Sequence, residues 1–167
     1  MGVKIRTKKN EFPKMEKEFN SLNGKKIQVG VLGGGENAWL AGIHEYGCTI
    51  AVTDKMRGWL AAHGLHLKKS TTAIHIPERS FLRTGYDTNI DDVIKRVDRL
   101  LPMVGNGMSA DDFCNELGSM LADRIKDYAE ELSTPPKHPF TLKLHPNKPN
   151  PLVQSGNMTN SITYKVE

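Results

Sequence analysis

Apolar residues recur at helical spacing in three stretches of the chain. The first stripe predicts a short amphipathic helix over residues 12–22, and the other two predict longer helices over residues 91–104 and 109–132. Ser109 followed by Asp112 gives the last helix a start that resembles a capping box. The stripe residues are Phe12, Met15, Phe19 and Leu22 in the first helix, Val93, Ile94, Val97, Leu100 and Leu101 in the second, and Phe113, Leu117, Met120, Leu121, Ile125, Tyr128 and Leu132 in the third.

Alternating polar and apolar residues, with many β-branched side chains, predict four strands. They lie near residues 26–31, 48–52, 70–76 and 161–166. A short helix over residues 55–63, capped by Thr53 or Asp54, is predicted inside a hairpin-like excursion of residues 48–76. A further helix over residues 38–46, capped by Asn37, is predicted to end at Gly47, which allows a left-handed exit into the next strand.

These elements predict one α+β domain over residues 11–167, behind a basic, flexible arm of residues 1–10. The strands are expected to form one small, mostly antiparallel sheet, with the two long helices packed on one face. Residues 133–151 contain six of the nine prolines and are expected to form an extended loop, with at most an irregular strand at residues 140–144. Because proline lacks a backbone donor, we expect this Pro-rich loop to be an interface rather than part of the core.

Composition narrows the class of protein. The 167 residues carry a formal net charge of +4 and two cysteines, Cys48 and Cys114, which are too few for a disulfide framework. No apolar run approaches the roughly 18 residues of a membrane span, and the basic N-terminus lacks the apolar stretch of a signal peptide. The sequence therefore predicts a protein made and used in a cytoplasm.

No set of residues predicts catalysis, a metal site or a cofactor. Four histidines fall between His44 and His75, but their spacing matches no zinc-ligand pattern. Ser80 and Ser155 lack the surroundings of a nucleophilic elbow, and the triplet Gly33-Gly34-Gly35 lacks the lysine of a phosphate-binding loop. We therefore expect a protein that is not an enzyme.

Three short phrases occur in a fixed order along the chain. The chain has IHEYG at residues 43–47, IPERSFLR at residues 76–83 and PLVQSGNMTNSI at residues 151–162. Together they resemble the tail-completion and virion-morphogenesis proteins of tailed bacteriophages, in which phrases like IHEFG, IPxRPFLR and PLxDTGxLxxSI recur in this order. The chain departs from that pattern at Met158, where the family usually has leucine, and at residues 154–156, where it usually has Asp-Thr-Gly.

The resemblance implies a structural protein of the virion neck or tail, located at the head–tail junction. Such tail terminator or tail-completion proteins form rings, here with six subunits as the expected number, that cap the tail tube and help to join it to the head. The implied partners are other copies of this chain, the tail tube protein and the head-closure or connector proteins, with passing contact to DNA in the lumen. The residues that carry the resemblance, and that we take as the interface or structural motif, are Ile43, His44, Glu45, Tyr46, Gly47, Pro77, Arg79, Phe81, Arg83, Pro151, Gly156 and Ser161.

Charge placement suggests a clamp between the first two phrases. Glu45 and His44 are expected to pair with a basic residue, for which Arg79 and Arg83 are candidates. We take the pair Glu45–Arg79 as the working expectation, because it would hold the turn at residues 77–83 against the helix that ends at Gly47.

The alternative function is a small basic nucleic-acid-binding protein. It would use the basic arm and the lysines of the Pro-rich loop, from Lys137 to Lys148. The mild charge excess and the lack of interleaved aromatic and basic residues count against it. A gel shift that depends on salt would separate the two functions.

Overall fold

The structure is a computed structural model that describes residues 10–167, so the predicted basic arm lies, apart from Asn10, outside the described residues. Within residues 10–167, no helix is both long enough and apolar enough to cross a membrane. The elements in chain order are α1 Phe12–Leu22, β1 Ile27–Val31, α2 Glu36–Tyr46, β2 Cys48–Ala51, α3 Asp54–Ala62, β3 Ala73–Ile76, α4 Phe81–Gly105, α5 Ala110–Glu131, α6 Pro139–Leu144, α7 Asn157–Asn160 and β4 Ile162–Val166.

The architecture is α+β, as the sequence predicted, and its centre is the antiparallel pair α4 and α5. Gly85 lets the two helices approach closely, since a Cβ there would lie 3.4 Å from the backbone of Ile125. The apolar stripes of both helices fill the core, where Phe81 and Val104 are fully buried. Ser109 caps α5 as predicted, by accepting a hydrogen bond from the amide of Asp112.

Helix α4 begins about ten residues earlier than predicted. Asn89 precedes the predicted start at residue 91, but it lies inside the helix, and its side chain donates to the carbonyl of Gly85. Pro102 lies within the last turns of α4. Helix α2 also begins earlier, at Glu36, so Asn37 is not its cap. Helix α4 can begin this early because Glu45 of α2 accepts hydrogen bonds from amides in the first turn of α4.

The four predicted strands exist, but they form two separate two-stranded antiparallel sheets rather than one. Strands β1 and β4 pair and cover α5, where Gly118 leaves room for the ring of Tyr164. Strands β2 and β3 pair in the predicted excursion around α3, which Thr53 caps. Two sheets result because β1 and β4 are positioned by α5, whereas β2 and β3 pair with each other beyond Gly47.

The Pro-rich segment, residues 133–151, differs from the extended loop that was expected. Its middle forms the short helix α6 where an irregular strand was predicted, because His138 caps it and Pro139 occupies its first turn. Its two ends are anchored: Lys137 and Pro151 are buried. The segment is therefore fixed at both ends, and its role as an interface stays a prediction.

Candidate functional site

The candidate site is built around the last turn of α2. Glu45 is buried there, with 3% of its surface exposed, and His44 beside it is half-buried. Gly47 then ends the helix with φ +71°, the left-handed exit that the sequence predicted. A Cβ at Gly47 would lie 2.9 Å from both the Glu78 amide nitrogen and the Ile76 carbonyl oxygen, so the first phrase touches the second directly.

The Glu45 carboxylate caps the start of α4. One oxygen accepts from the amide of Leu82 at 2.8 Å, and the other accepts from the amide of Arg83 at 3.1 Å and from its Nε at 2.8 Å. A carboxylate in this position satisfies amides that have no partner within the helix and complements the positive end of the helix dipole. This contact explains why α4 begins at Phe81.

Arg83 closes the same contact from the solvent side. Its guanidinium donates to the main-chain oxygen of Glu45 and to the carboxylate of Glu78, and it lies 4.9 Å from the centre of the Tyr46 ring. The hydrogen bond to Glu45 is the main cause that raises the pKa of Arg83. The guanidinium therefore joins two exposed side chains, Tyr46 of the first phrase and Glu78 of the second, to the buried carboxylate of Glu45.

The expected pair Glu45–Arg79 is replaced by Glu45–Arg83. Arg79 is itself buried, at 6% exposure, but its amide donates to the carbonyl of His44 and its side chain points toward the Pro-rich segment. There Nε donates to the carbonyl of Pro135 at 2.8 Å and an Nη donates to that of Pro136 at 3.0 Å. Arg79 thus precedes α4 and faces away from its first turn, whereas Arg83 lies within that turn, beside Glu45.

The remaining Nη of Arg79 lies 3.3 Å from Nδ1 of His44. Because a guanidinium only donates, Nδ1 must accept, which places the proton of the neutral ring on Nε2. Burial first, and then the positive charges of Arg79 and Lys137, lower the pKa of His44 to about 4. His44 is therefore neutral at pH 7 and acts as a hydrogen-bond acceptor within the network.

Lys137 is a second buried cation, at 9% exposure, and it has no carboxylate partner among the described residues. Its ammonium donates to the carbonyls of Lys148 at 2.9 Å and Val153 at 3.1 Å, and to the side-chain oxygen of Gln154 at 3.0 Å. Three neutral oxygens use its three donors, and burial lowers its pKa. Lys137 therefore ties the Pro-rich segment to the third phrase and offers no free donor to a ligand.

The third phrase packs against the other end of α2. Asn37 donates to the carbonyl of Asn157 at 3.4 Å, and Leu152 and Met158 are buried in the core. Pro151 is buried beside Leu152, Gly156 has φ +84° before α7, and Ser161 ends α7 with its hydroxyl on a carbonyl oxygen. Of the other motif residues, Phe81 is fully buried, Ile43 and Pro77 are half-buried, and Tyr46 is exposed.

Sequence reasoning missed two residues that hold this network together, Lys137 and Asn150. The Asn150 amide donates to the carbonyls of Ala129, Glu130 and Leu132, which ends α5. Its side-chain oxygen accepts from the amides of residues 152 and 153. An asparagine between two prolines was the only signal for this role, since neighbouring prolines leave few backbone donors to end a helix.

The network has the chemistry of a structural joint. Within residues 10–167, every buried side-chain nitrogen and oxygen has a hydrogen-bond partner, and no group of three acidic, histidine or cysteine side chains is placed to hold a metal ion. Arg79 and Lys137 use their donors on acceptors of the chain itself, so each of these buried cations holds separate segments together. Comparison of the chain with protein families, with curated proteins and with solved structures found no match.

Proposed function

We propose that this protein is a structural component of a tailed-phage virion, acting at the head–tail junction as a tail terminator or tail-completion ring. Copies of the chain form the ring, with six as the proposed number. One side of the ring caps the tail tube protein, the other docks onto the head-closure or connector proteins, and DNA passes through the lumen. The proposed location is the virion neck, after synthesis in the host bacterial cytoplasm.

The observation that carries the proposal is the meeting of the three phrases in one network. Glu45 of the first phrase caps the helix in which the second phrase ends, Arg79 of the second holds the Pro-rich segment, and Lys137 of that segment holds the third. The phrases that resemble the phage proteins are therefore one structural unit in this fold, although 38 residues separate Glu45 from Arg83. Because the three phrases pack into one unit, they support the proposal together rather than singly.

Exposed aromatic residues support a binding role. Trp39 and Tyr46 are seven residues apart on α2, with 67% and 69% of their surfaces exposed, so they share one outer face of the helix. Tryptophan and tyrosine are enriched at the centres of protein interfaces. Arg83 of the network beneath this face lies 4.9 Å from the centre of the Tyr46 ring.

The test is complementation of a phage whose copy of this gene is interrupted. We expect electron micrographs of the interrupted phage to show filled heads and separate tails, and the intact gene to restore joined virions. Trp39→Ser should restore them poorly although the purified variant is folded. Ile94→Ser, which removes an apolar side chain 52% exposed on α4, is the matched control and should restore them fully. Normal virions from the interrupted phage would overturn the proposal.

The nucleic-acid alternative loses part of its basis in the structure. Lys137, one of the basic residues assigned to it, is buried and fully bonded. A gel shift whose strength falls steeply with salt, together with normal virions from the interrupted phage, would favour the alternative.

A further inference from the structure

The acidic residues of the chain are absent from two long stretches that meet in the fold. None of the 19 aspartate and glutamate residues falls within residues 55–77 or 132–166, whereas these stretches contain seven lysines and one arginine. A Cβ built on Gly64 of the first stretch would lie 4.0 Å from Nζ of Lys143 of the second. Where they meet, the two stretches therefore contribute positive charge only.

Four lysines of these stretches are exposed and unpaired, and we call them the basic surface. They are Lys55, Lys68, Lys69 and Lys143. None of the four side chains forms an ion pair or a hydrogen bond with a described residue. Lys137, by contrast, uses all three of its donors within the chain. The basic surface therefore keeps its charges available for a partner.

Arg57 holds the loop that carries two of these lysines. Its guanidinium donates to the carbonyls of Leu67 at 3.3 Å, Lys68 at 3.0 Å and Thr71 at 2.8 Å. These bonds fix the backbone on either side of Lys69 against helix α3. Less conformational freedom is then lost when the loop meets a ligand.

The basic surface extends along the whole of α3. Lys55 lies in the first turn of the helix, and Gly64, beside Lys143, follows its last residue. Gly64 is nine residues after Lys55, or about 13 Å along the helix. Each strand of duplex DNA carries one phosphate per roughly 3.4 Å of axis, so this length passes about four phosphates. The four lysines therefore match such a run in number and in length.

The composition of the basic surface favours nucleic acid over protein as its partner. Lysine is depleted in protein interfaces, whose centres are apolar, whereas lysine contacts to phosphate supply much of the affinity for DNA. The exposed residues between the lysines are small, among them Ala62, Gly64 and Ser70. The exception is Trp59, which is 52% exposed and stacks on His63. Apart from that ring, the surface lacks the apolar centre that a protein partner would cover.

We infer that the basic surface binds the phosphate backbone of duplex DNA without reading its sequence. The inference deepens the proposed function and rests on it for the choice of duplex DNA, because DNA passes through the lumen of the proposed ring. It assigns that contact to α3, the loop after it and α6. The hairpin of residues 48–76, which bears three of the four lysines, is open to such a contact, since Leu60 is its only buried side chain.

Fluorescence anisotropy of a labelled duplex of about 20 base pairs, with the full-length chain between about 50 and 200 mM salt, tests the inference. Each phosphate contact adds about 0.9 to the slope of log affinity against log salt. We expect the double variant Lys68→Gln, Lys69→Gln to bind several-fold more weakly at about 50 mM salt, with a slope smaller by about 1.8. An unchanged melting temperature checks that this variant is folded.

The matched control is the double variant Lys14→Gln, Lys17→Gln on α1, which makes the same change in net charge among the acidic residues of that helix. Its slope should stay within about 0.5 of the wild-type value. Each double variant keeps all other cations of the chain, so the difference in slope reports the replaced lysines alone. Equal losses in the two variants, or no binding by the wild type, would overturn the inference.

Two further outcomes would also overturn it. If Lys68→Gln, Lys69→Gln binds duplex as the wild type does but loses self-association in light scattering, the basic surface contacts another copy of the chain. If the wild type binds a single strand more tightly than the duplex, and Trp59→Ala removes that preference, the ligand is single-stranded. Failure of DNA binding would leave the complementation result for the ring untouched, whereas normal virions from the interrupted phage would reject the ring, so the two proposals fail separately.

Discussion

Replacing Glu45 by glutamine tests whether a buried carboxylate sets the start of α4. Glutamine keeps the size of the side chain, but only one of its two terminal atoms accepts hydrogen bonds. The carboxylate has three donors around it, so its replacement leaves at least one amide of α4 facing another donor. Loss of a charge-assisted hydrogen bond costs about 1.5–3 kcal/mol, and loss of the favourable charge at a helix start adds about 0.3–1 kcal/mol. We expect Glu45→Gln to lower the free energy of unfolding by about 2–4 kcal/mol.

The assay is urea denaturation of a double-mutant cycle. Glu45→Gln and Arg83→Gln should not add, because the second change removes a partner that the first has already lost. Glu45→Gln should couple less strongly to Arg79→Gln than to Arg83→Gln, since the side chains of Glu45 and Arg79 share no hydrogen bond. Glu78→Gln is the matched control: it bonds to the same arginine but is exposed, so it should cost only about 0–1 kcal/mol. Coupling to Arg79 in place of Arg83, or a loss below about 0.5 kcal/mol for Glu45→Gln, would refute the reasoning.

Three further perturbations address the rest of the network. Gly47→Ala should lower the free energy of unfolding by at least about 2 kcal/mol, because φ is positive there and a Cβ would meet backbone atoms at 2.9 Å. Gly42→Ala on the same helix, with open space around it, should raise the free energy of unfolding by about 0.5–1 kcal/mol, and urea denaturation of both variants checks this. Asn150→Asp keeps the shape of the side chain but replaces the amide that ends α5 by a charge facing carbonyl oxygens, so the melting temperature of the protein should fall by several degrees. Asn147→Asp, in the exposed part of the same segment, should leave the melting temperature unchanged. The pKa of His44 is about 4 in the folded chain and about 6.5 when unfolded, so the unfolded state binds more protons between these values. Stability should therefore fall as the pH drops from about 6.5 to about 4. The stability of His44→Asn, which keeps an acceptor but does not titrate, should depend less on pH over that range, and equal slopes of stability against pH in the two proteins would contradict the assignment.

The candidate site could be only partly predicted from the sequence. The phrases at residues 43–47 and 76–83 were expected to contact each other through a pair of charged side chains, and they do so through Glu45 and Arg83. Which arginine meets Glu45 was not predictable, because Arg79 and Arg83 both lie close to the start of α4 and the choice depends on how α2 crosses it. Lys137 and Asn150 bond to residues whose positions only the folded chain defines.

The sequence by itself determined the strands, every helix except α6 and α7, and most of the ends of these elements apart from the start of α4. Their signals are local: the apolar stripe of α5, the cap at Ser109, the cap at Thr53 and the positive φ of Gly47 each act within a few residues. Such patterns fix an element before any distant part of the chain is in place.

Only the tertiary structure decided which elements pair and where α4 starts. The four strands could have formed one sheet, and they form two because α5 holds β1 beside β4 while β2 and β3 pair with each other. Helix α4 begins at Phe81 because the carboxylate of Glu45, distant in sequence, satisfies its first amides. Contacts of this kind depend on the packing of whole elements, and a local pattern of residues does not contain that information.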